Sequence, residues 1–445
     1  MTIRRPHVAA ITGLALASLV LAACSSSSTS TSSSAAASAP AEAGSSAAAS
    51  APAEATCEAI NVFFIPSPSA DAMKAMIPAF TEATGIEVNV SEVEYGTAHQ
   101  KALLSIQSQQ GAFDVVQFDN TFLAAFAKAG ALTDIGEWVA NSAEYDINDI
   151  PPSLQNYGDF DGTKYGLMLS TEPFIQWYRS DIYDKLGLKP ATTWDEYKAN
   201  AEAIQKSGDA SGQMMGFGPN TTWWWMQLVW SFGGALYDSA YKPTVNTPQA
   251  AAATEYYKSL LASSPSGALG ATGDDVTLQF VGSDIGQMVQ YSGYAAGVFD
   301  PESSKNAANI AVAPVPAGDV NAVELAGWNI GIPSDAPSPE CGWTFLEYML
   351  GKSNAKTLLE NGAAAIGRIS IVDDPALQEQ YPYLKLLNLG PDVVVNTYPQ
   401  IVVWPEFDKV ASDNLAKILS GEVGVQEGLD AMQAALEPVL AKEPK

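Results

Sequence analysis

Histidine is nearly missing from this chain: two occur in 445 residues, and one of them, His7, lies in the N-terminal segment. A His-based catalytic triad would therefore rest on His99 alone. There is no G-x-S-x-G, no H-E-x-x-H and no cysteine pair at zinc spacing, and no loop carries calcium-site spacing. No metal and no cofactor is expected. Cysteine is equally sparse, with three in all. Positive charge is scarce too: 22 Lys and Arg face 49 Asp and Glu, for a formal charge of −27. Such a chain does not bind nucleic acid or anionic lipid by charge. Beyond the first two dozen residues no run is long and apolar enough to span a bilayer.

Apolar and aromatic residues are plentiful. The chain is 47% hydrophobic, with 10 Trp, 17 Tyr and 15 Phe, ample for a large core and long enough for two lobes. Arg4 and Arg5 precede an apolar stretch, Val8 to Ala22, of signal-peptide length. It ends in Leu21-Ala22-Ala23-Cys24, which resembles the lipobox of bacterial lipoproteins, so residues 1–23 are expected to be removed and Cys24 acylated. Losing Arg4 and Arg5, and no acid, takes the charge from −27 to about −29. Residues 24–56 are Ser, Ala, Pro and Glu without an aromatic or large aliphatic side chain, and read as a flexible tether. The other cysteines, Cys57 and Cys341, form either a disulfide or two buried free thiols.

From Cys57 onward, strand and helix patterns alternate. Ala59–Ile65, Ile86–Val93 and Phe113–Phe118 read as strands, with helices over Ala70–Thr84, Ala98–Gln110 and Phe122–Ala129. This β-α-β-α-β order predicts an α/β fold with a parallel sheet, whose ligands sit beyond the carboxyl ends of the strands. Strands are also expected at Tyr165–Leu169, Gly286–Val289, Ile310–Pro314 and Gly327–Pro333, and helices from Trp194, Trp224, Pro248, Gly342, Asp408 and Val425.

Four segments carry a resemblance. Tyr165–Tyr197 (Y-G-L-M-L-S-T-E-P-F-I-Q-W-Y-R-S-D-I-Y-D-K-L-G-L-K-P-A-T-T-W-D-E-Y) resembles the crossover segment of extracellular solute-binding proteins of sugar and polyol ABC importers. A-F-T-E-A-T-G-I-E-V (Ala79–Val88), A-G-W-N-I-G-I-P (Ala326–Pro333) and T-Y-P-Q-I-V-V-W (Thr397–Trp404) are similar to other stretches of that family. The resemblance implies a periplasmic-binding-protein-like, two-lobed clamshell, each lobe a mainly parallel sheet flanked by helices, with multiple hinge crossings. It places residues 57–170 plus 332–389 in lobe 1 and 171–331 plus 390–445 in lobe 2, with Cys57 and Cys341 in the same lobe. It implies a lipid-anchored monomer that passes a small carbohydrate or polyol to ABC permease subunits.

Hydroxyls need planar donors and acceptors, and the C–H faces of a sugar need flat apolar partners. Three consecutive indoles, Trp223-Trp224-Trp225, cannot all face one core, and Trp223 is expected to face the cleft. Trp328, Asn329 and Trp404 lie on expected hinge segments. Glu172 lies in the first crossover. Asp119 and Asn120 follow a buried strand, where capping the next helix is the competing role. The resemblance adds Arg368 as a hydroxyl contact, and an aromatic in the turn containing Tyr291, Ser292 and Tyr294. Phe64, Ser67, Tyr95 and His99 complete the candidates. Two other functions fit some of these features: a secreted carbohydrate-active hydrolase using two carboxylates, such as Asp119 and Glu172, and an adhesive surface lipoprotein.

Overall fold

The computed structural model describes residues 57–219, 221–282, 284–363 and 367–444. The leader, Cys24 and the tether lie outside these residues. The strands are β1 (Ala59–Phe64), β2 (Glu87–Glu92), β3 (Val115–Asp119), β4 (Asp159–Phe160), β5 (Thr163–Lys164), β6 (Leu167–Met168), β7 (Glu172–Arg179), β8 (Gln287–Tyr291), β9 (Ile310–Pro314), β10 (Ala322–Ala326), β11 (Trp328–Gly331) and β12 (Val394–Thr397).

The first sheet has the order β2-β1-β3-β11-β6. Its β2-β1-β3 portion is parallel, as the β-α-β-α-β pattern requires, while β11 runs antiparallel to β3 and β6. Alternation along β1 serves two cores. Ile60, Val62 and Phe64 point to the layer of helices Pro68–Thr84 and Pro339–Leu350. Phe63 points the other way, with Val116 and Phe118, onto Ala98, Ala102 and Ile106 of helix Tyr95–Gln107. Helix Pro68–Thr84 starts where Ser67 Oγ accepts from the Ala70 amide, and stops at Gly85, whose φ of 76° suits a residue without Cβ. A disulfide joins Cys57, just before β1, to Cys341 in helix Pro339–Leu350, with Cα atoms 6.1 Å apart.

The second sheet corrects the expectation of a mainly parallel one. β7 runs antiparallel to β8, β9 and β10, and only β10 and β12 pair in parallel. The reason is directional. β7 leaves the junction between the lobes carrying the chain outward, and its partners bring it back. Around this sheet lies the largest core, with Trp177, Trp194, Trp224, Trp225, Phe280 and Leu436 among its members. Helix Trp194–Ser207 enters through a capping box, Thr193 and Glu196 bonding each other's backbone amides.

The crossings also differ from the expected boundaries. β11 pairs in the first sheet, so the return crossing falls at Gly327 rather than after residue 331. Ile371, Val372, Leu377, Leu384 and Leu387 pack in the second core, so the third crossing precedes them rather than following residue 389. All three crossings meet. Leu169 N–H donates to Trp328 O at 2.7 Å, Trp328 N–H to Ser170 Oγ at 3.3 Å, and Gly367 N–H to Thr171 Oγ1 at 2.8 Å. Gly327 is required there, since a Cβ would collide with the Ser170 carbonyl and lie 3.1 Å from Tyr157 Oη. No helix among the described residues is long and apolar enough to cross a membrane.

Candidate functional site

Chain direction decides what faces the space between the lobes. β1 and β3 end toward the crossings and β11 begins there; in the other lobe β7 begins there and β8 and β10 end there. Asp119, Trp328, Glu172 and Tyr291 therefore occupy the facing strand ends.

On the first lobe, Tyr95 Oη donates to Asp119 Oδ2 at 3.0 Å, while Asp119 Oδ1 accepts from the Thr121 amide at 2.9 Å. Asp119 thus both caps a turn and holds Tyr95. The Tyr95 ring meets Trp328 edge-on, with centroids 5.9 Å apart, yet 47% of Tyr95 remains exposed. Asn329 Nδ2 donates to Asn120 Oδ1 at 3.0 Å, both side chains being buried, and Asn329 Oδ1 has no protein partner. His99 is buried beside Tyr95, and burial lowers its pKa to about 3, so the ring is neutral.

At the crossover, Ser170 Oγ donates to Glu172 Oε1 at 2.5 Å. Burial raises the Glu172 pKa to about 7 despite that bond, and the Asp119 charge adds to the rise. Tyr291 Oη donates to Glu324 Oε1 at 2.8 Å and lies 3.0 Å from Tyr398 Oη. Glu324 is fully buried, with Oε2 unpartnered, and burial raises its pKa well above the usual range, the Tyr291 bond opposing and Asp119 adding.

Of the three indoles, Trp224 and Trp225 are core residues whose N–H groups reach Val289 O at 2.7 Å and Thr254 Oγ1 at 2.8 Å. Trp223 keeps partial exposure, an unpartnered Nε1 and an edge contact with Tyr398 at 6.4 Å. Tyr294 Oη donates to Asp274 Oδ1 at 2.9 Å. One bond spans the lobes at the same place: Gln400 Nε2 donates to Asn120 O at 3.3 Å, while Gln400 Oε1 is unpartnered.

Several expected residues stand elsewhere. Arg368 has no exposed surface. Its guanidinium meets Asp149 at 3.3 Å and the carbonyls of Tyr145 and Leu350, and lies over the Tyr145 ring. It is turned into lobe 1 because a buried cation needs these acceptors. Trp404 stacks on Phe407 in the second core, Phe64 is fully buried in the first, and Ser67 is spent on its helix cap and on Gln117. Sequence reasoning missed Glu324, Tyr398, Gln400 and Tyr157, whose hydroxyl donates to Gly327 O at 2.8 Å. A glutamate inside the apolar strand A-V-E-L-A was a readable signal for the first of these.

Residues 66–356 match the model of the family described as bacterial extracellular solute-binding protein. The chain belongs to that family. It is 25% identical over 339 residues to a probable amino-acid ABC transporter periplasmic-binding protein of Sinorhizobium fredii, covering 74% of this chain and 77% of that one. The solved solute-binding protein of Agrobacterium radiobacter in complex with ribitol superposes with a TM-score of 0.76 at 24% identity, over 85% of this chain and 98% of that one. That of Agrobacterium vitis with bound D-mannitol gives 0.74 at 23%, over 87% and 100%. The two-lobed fold is theirs, and family and neighbours alike are binding proteins rather than hydrolases.

Proposed function

We propose that this solute-binding protein captures a sugar or sugar alcohol between its lobes and delivers it to the permease of an ABC importer, as a monomer held at the membrane by a lipid on Cys24. The observation that carries the ligand class is the set of polar atoms left without a protein partner where the strand ends meet: Asn329 Oδ1, Glu324 Oε2, Gln400 Oε1 and Trp223 Nε1. Buried polar groups are normally paired; Glu324 is linked through Tyr291 to Tyr398, which meets Trp223 edge-on, and the rings of Trp223, Tyr95 and Trp328 suit C–H faces. The bound ribitol and mannitol of the two structural neighbours are consistent with this chemistry. Asp119, Asn120, Glu172, Trp223, Tyr291, Tyr294, Trp328, Asn329 and Tyr95 form the proposed site, joined by Glu324, Tyr398 and Gln400. A ligand touching both lobes favours the closed arrangement and shifts the population toward it.

Thermal-shift and calorimetric screening of alditols, monosaccharides, disaccharides and amino acids tests the class. One polyhydroxy solute is expected to bind at one per chain and raise the melting temperature. Binding of an amino acid, with no sugar or alditol bound, overturns the reading. For the anchor, Cys24→Ser is expected to move the protein from the membrane to the soluble fraction; unchanged retention overturns it.

A further inference from the structure

A ring that stacks on a solute contributes most when it is held still before the solute arrives. The helix that carries Trp223, Thr222–Ser231, does little by itself to fix its first turn. The N-cap residue Thr221 makes no side-chain capping bond, its hydroxyl donating instead to Gly218 O at 2.6 Å, and no acid stands in that turn. A helix start normally has a side-chain acceptor and favours a nearby acid. Here the acid comes from 186 residues away: Asp408, in helix Trp404–Ser420, accepts from Thr222 Oγ1. Its charged neighbours make other pairs, Glu406 with Lys442 and Lys409 with Asp413. Asp408 lies on the inward face, one turn after Trp404 and between the buried Phe407 and Ala411.

Trp223 is bounded on its other sides. The ring lies 5.7 Å from that of Trp224, which is locked in the second core by its bond to Val289 O, and meets Tyr398 edge-on. It passes so near Gly273 that a Cβ there would stand 3.3 Å from Trp223 Cζ2. Thr222 is itself buried, at 1% exposure. Losing its acceptor leaves a buried hydroxyl unpaired, at a cost of about 1–3 kcal/mol unless the turn shifts, and a shift of Thr222 carries Trp223 with it. Resting on the reading of Trp223 as a ligand face, we infer that Asp408 is a positioning residue of the binding site: through Thr222 it sets the angle at which the Trp223 ring meets a bound solute.

The test is a double-mutant cycle on Asp408 and Thr222, read by calorimetric titration with D-mannitol, ribitol, D-glucose and maltose. For whichever of these binds, Asp408→Ala and Thr222→Val are each expected to weaken affinity by about tenfold, and the double variant by no more than about threefold beyond either, because both remove the same bond. Asp408→Asn keeps the acceptor and is expected to recover binding to within about threefold of the native chain. Acrylamide should quench more tryptophan fluorescence in Asp408→Ala than in the native chain, and the increase should vanish once Trp223→Phe is added. Should Asp408→Ala fail to fold, Thr222→Val and Asp408→Asn carry the test. If Trp223→Ala loses affinity while Thr222→Val does not, or if Asp408→Asn is as weak as Asp408→Ala, the positioning role is overturned and the sugar reading stands. Full affinity in Trp223→Ala, or a panel in which no member binds, overturns both.

Discussion

Glu172 should make the empty protein less stable as pH rises, and a glutamine there should remove the effect. The residue opens β7, with Ser170 Oγ on one carboxyl oxygen and Gly293 so close to the other that a Cβ there would collide. Burial raises its pKa from 4.5 to about 7. Below 4.5 the group is protonated in both folded and unfolded chains and costs nothing. Between 4.5 and 7 the unfolded chain releases a proton that the folded one retains, so unfolding gains. Above 7 the full penalty, at most about 3 kcal/mol, is in place. Glu172→Gln keeps the shape and the Ser170 bond and cannot ionise. Calorimetric melts of both proteins without ligand should nearly coincide at pH 5, and at pH 8.5 the variant should be more stable by about 1–3 kcal/mol, a few degrees. His99 acts with the opposite sign. Its pKa is lowered, so its contribution is present above 6.5 and is lost as pH falls through that value toward 3. Comparing wild type with variant cancels it. A stability difference that does not change between pH 5 and 8.5, or a variant less stable at both, refutes the argument.

Three further outcomes follow from burial. Trp223→Ala should weaken ligand binding by tenfold or more with little change in melting temperature, whereas Trp224→Ala should cost about 3–5 kcal/mol of stability, because that indole is buried and bonded to Val289 O. Equal losses of stability would show that both are core residues. Arg368→Ala should destabilise by about 3–5 kcal/mol, since it leaves the buried Asp149 without its ion-pair partner, only Ser370 N–H and Oγ still donating to it, with affinity of the folded protein within threefold of wild type. A melting temperature unchanged and affinity lost would return Arg368 to the cleft. Reducing Cys57–Cys341 should lower stability by about 2–5 kcal/mol, and mass spectrometry should find two alkylatable thiols only after reductant.

What could be read from sequence was what is local. The stop at Gly85 and the caps at Thr193 and Thr247 stand where those residue types favour them, and helix Val425–Leu440 and strand Ile310–Pro314 fall on the expected residues, whereas Ser67, expected at the ligand, is a cap. The direction of β7 was not legible. Its partners lie more than a hundred residues away, and an apolar run such as F-I-Q-W-Y packs equally well in a parallel or an antiparallel sheet. For the same reason the third crossing was placed late: Ile371 and Leu384 carry no mark of which core they enter. Among candidate residues, Trp223 was separable from its neighbours because three indoles in a row cannot share one face. Arg368 was not, because its partner Asp149 lies 219 residues earlier.

The crossings explain why the proposed site lies where it does. Each strand that connects the lobes must start or stop beside the others, so Glu172, Trp328 and the last residues of β3, β8 and β10 meet at one level. Hydrogen bonds tie the crossings to one another, from Leu169 N–H to Trp328 O and from Gly367 N–H to Thr171 Oγ1. A change in the angle between lobes therefore moves groups such as Asp119 and Glu172 relative to each other, and a solute bridging them acts directly on that angle. Gly327 sits at the centre of this arrangement, pressed against the Ser170 carbonyl and Tyr157 Oη, where any side chain would force the crossings apart. An alanine there would change the distance between the two halves of the site while leaving every proposed ligand contact chemically intact. Gly327→Ala is therefore expected to weaken solute binding in calorimetry although the proposed contacts keep their chemistry, and unchanged affinity would refute the coupling.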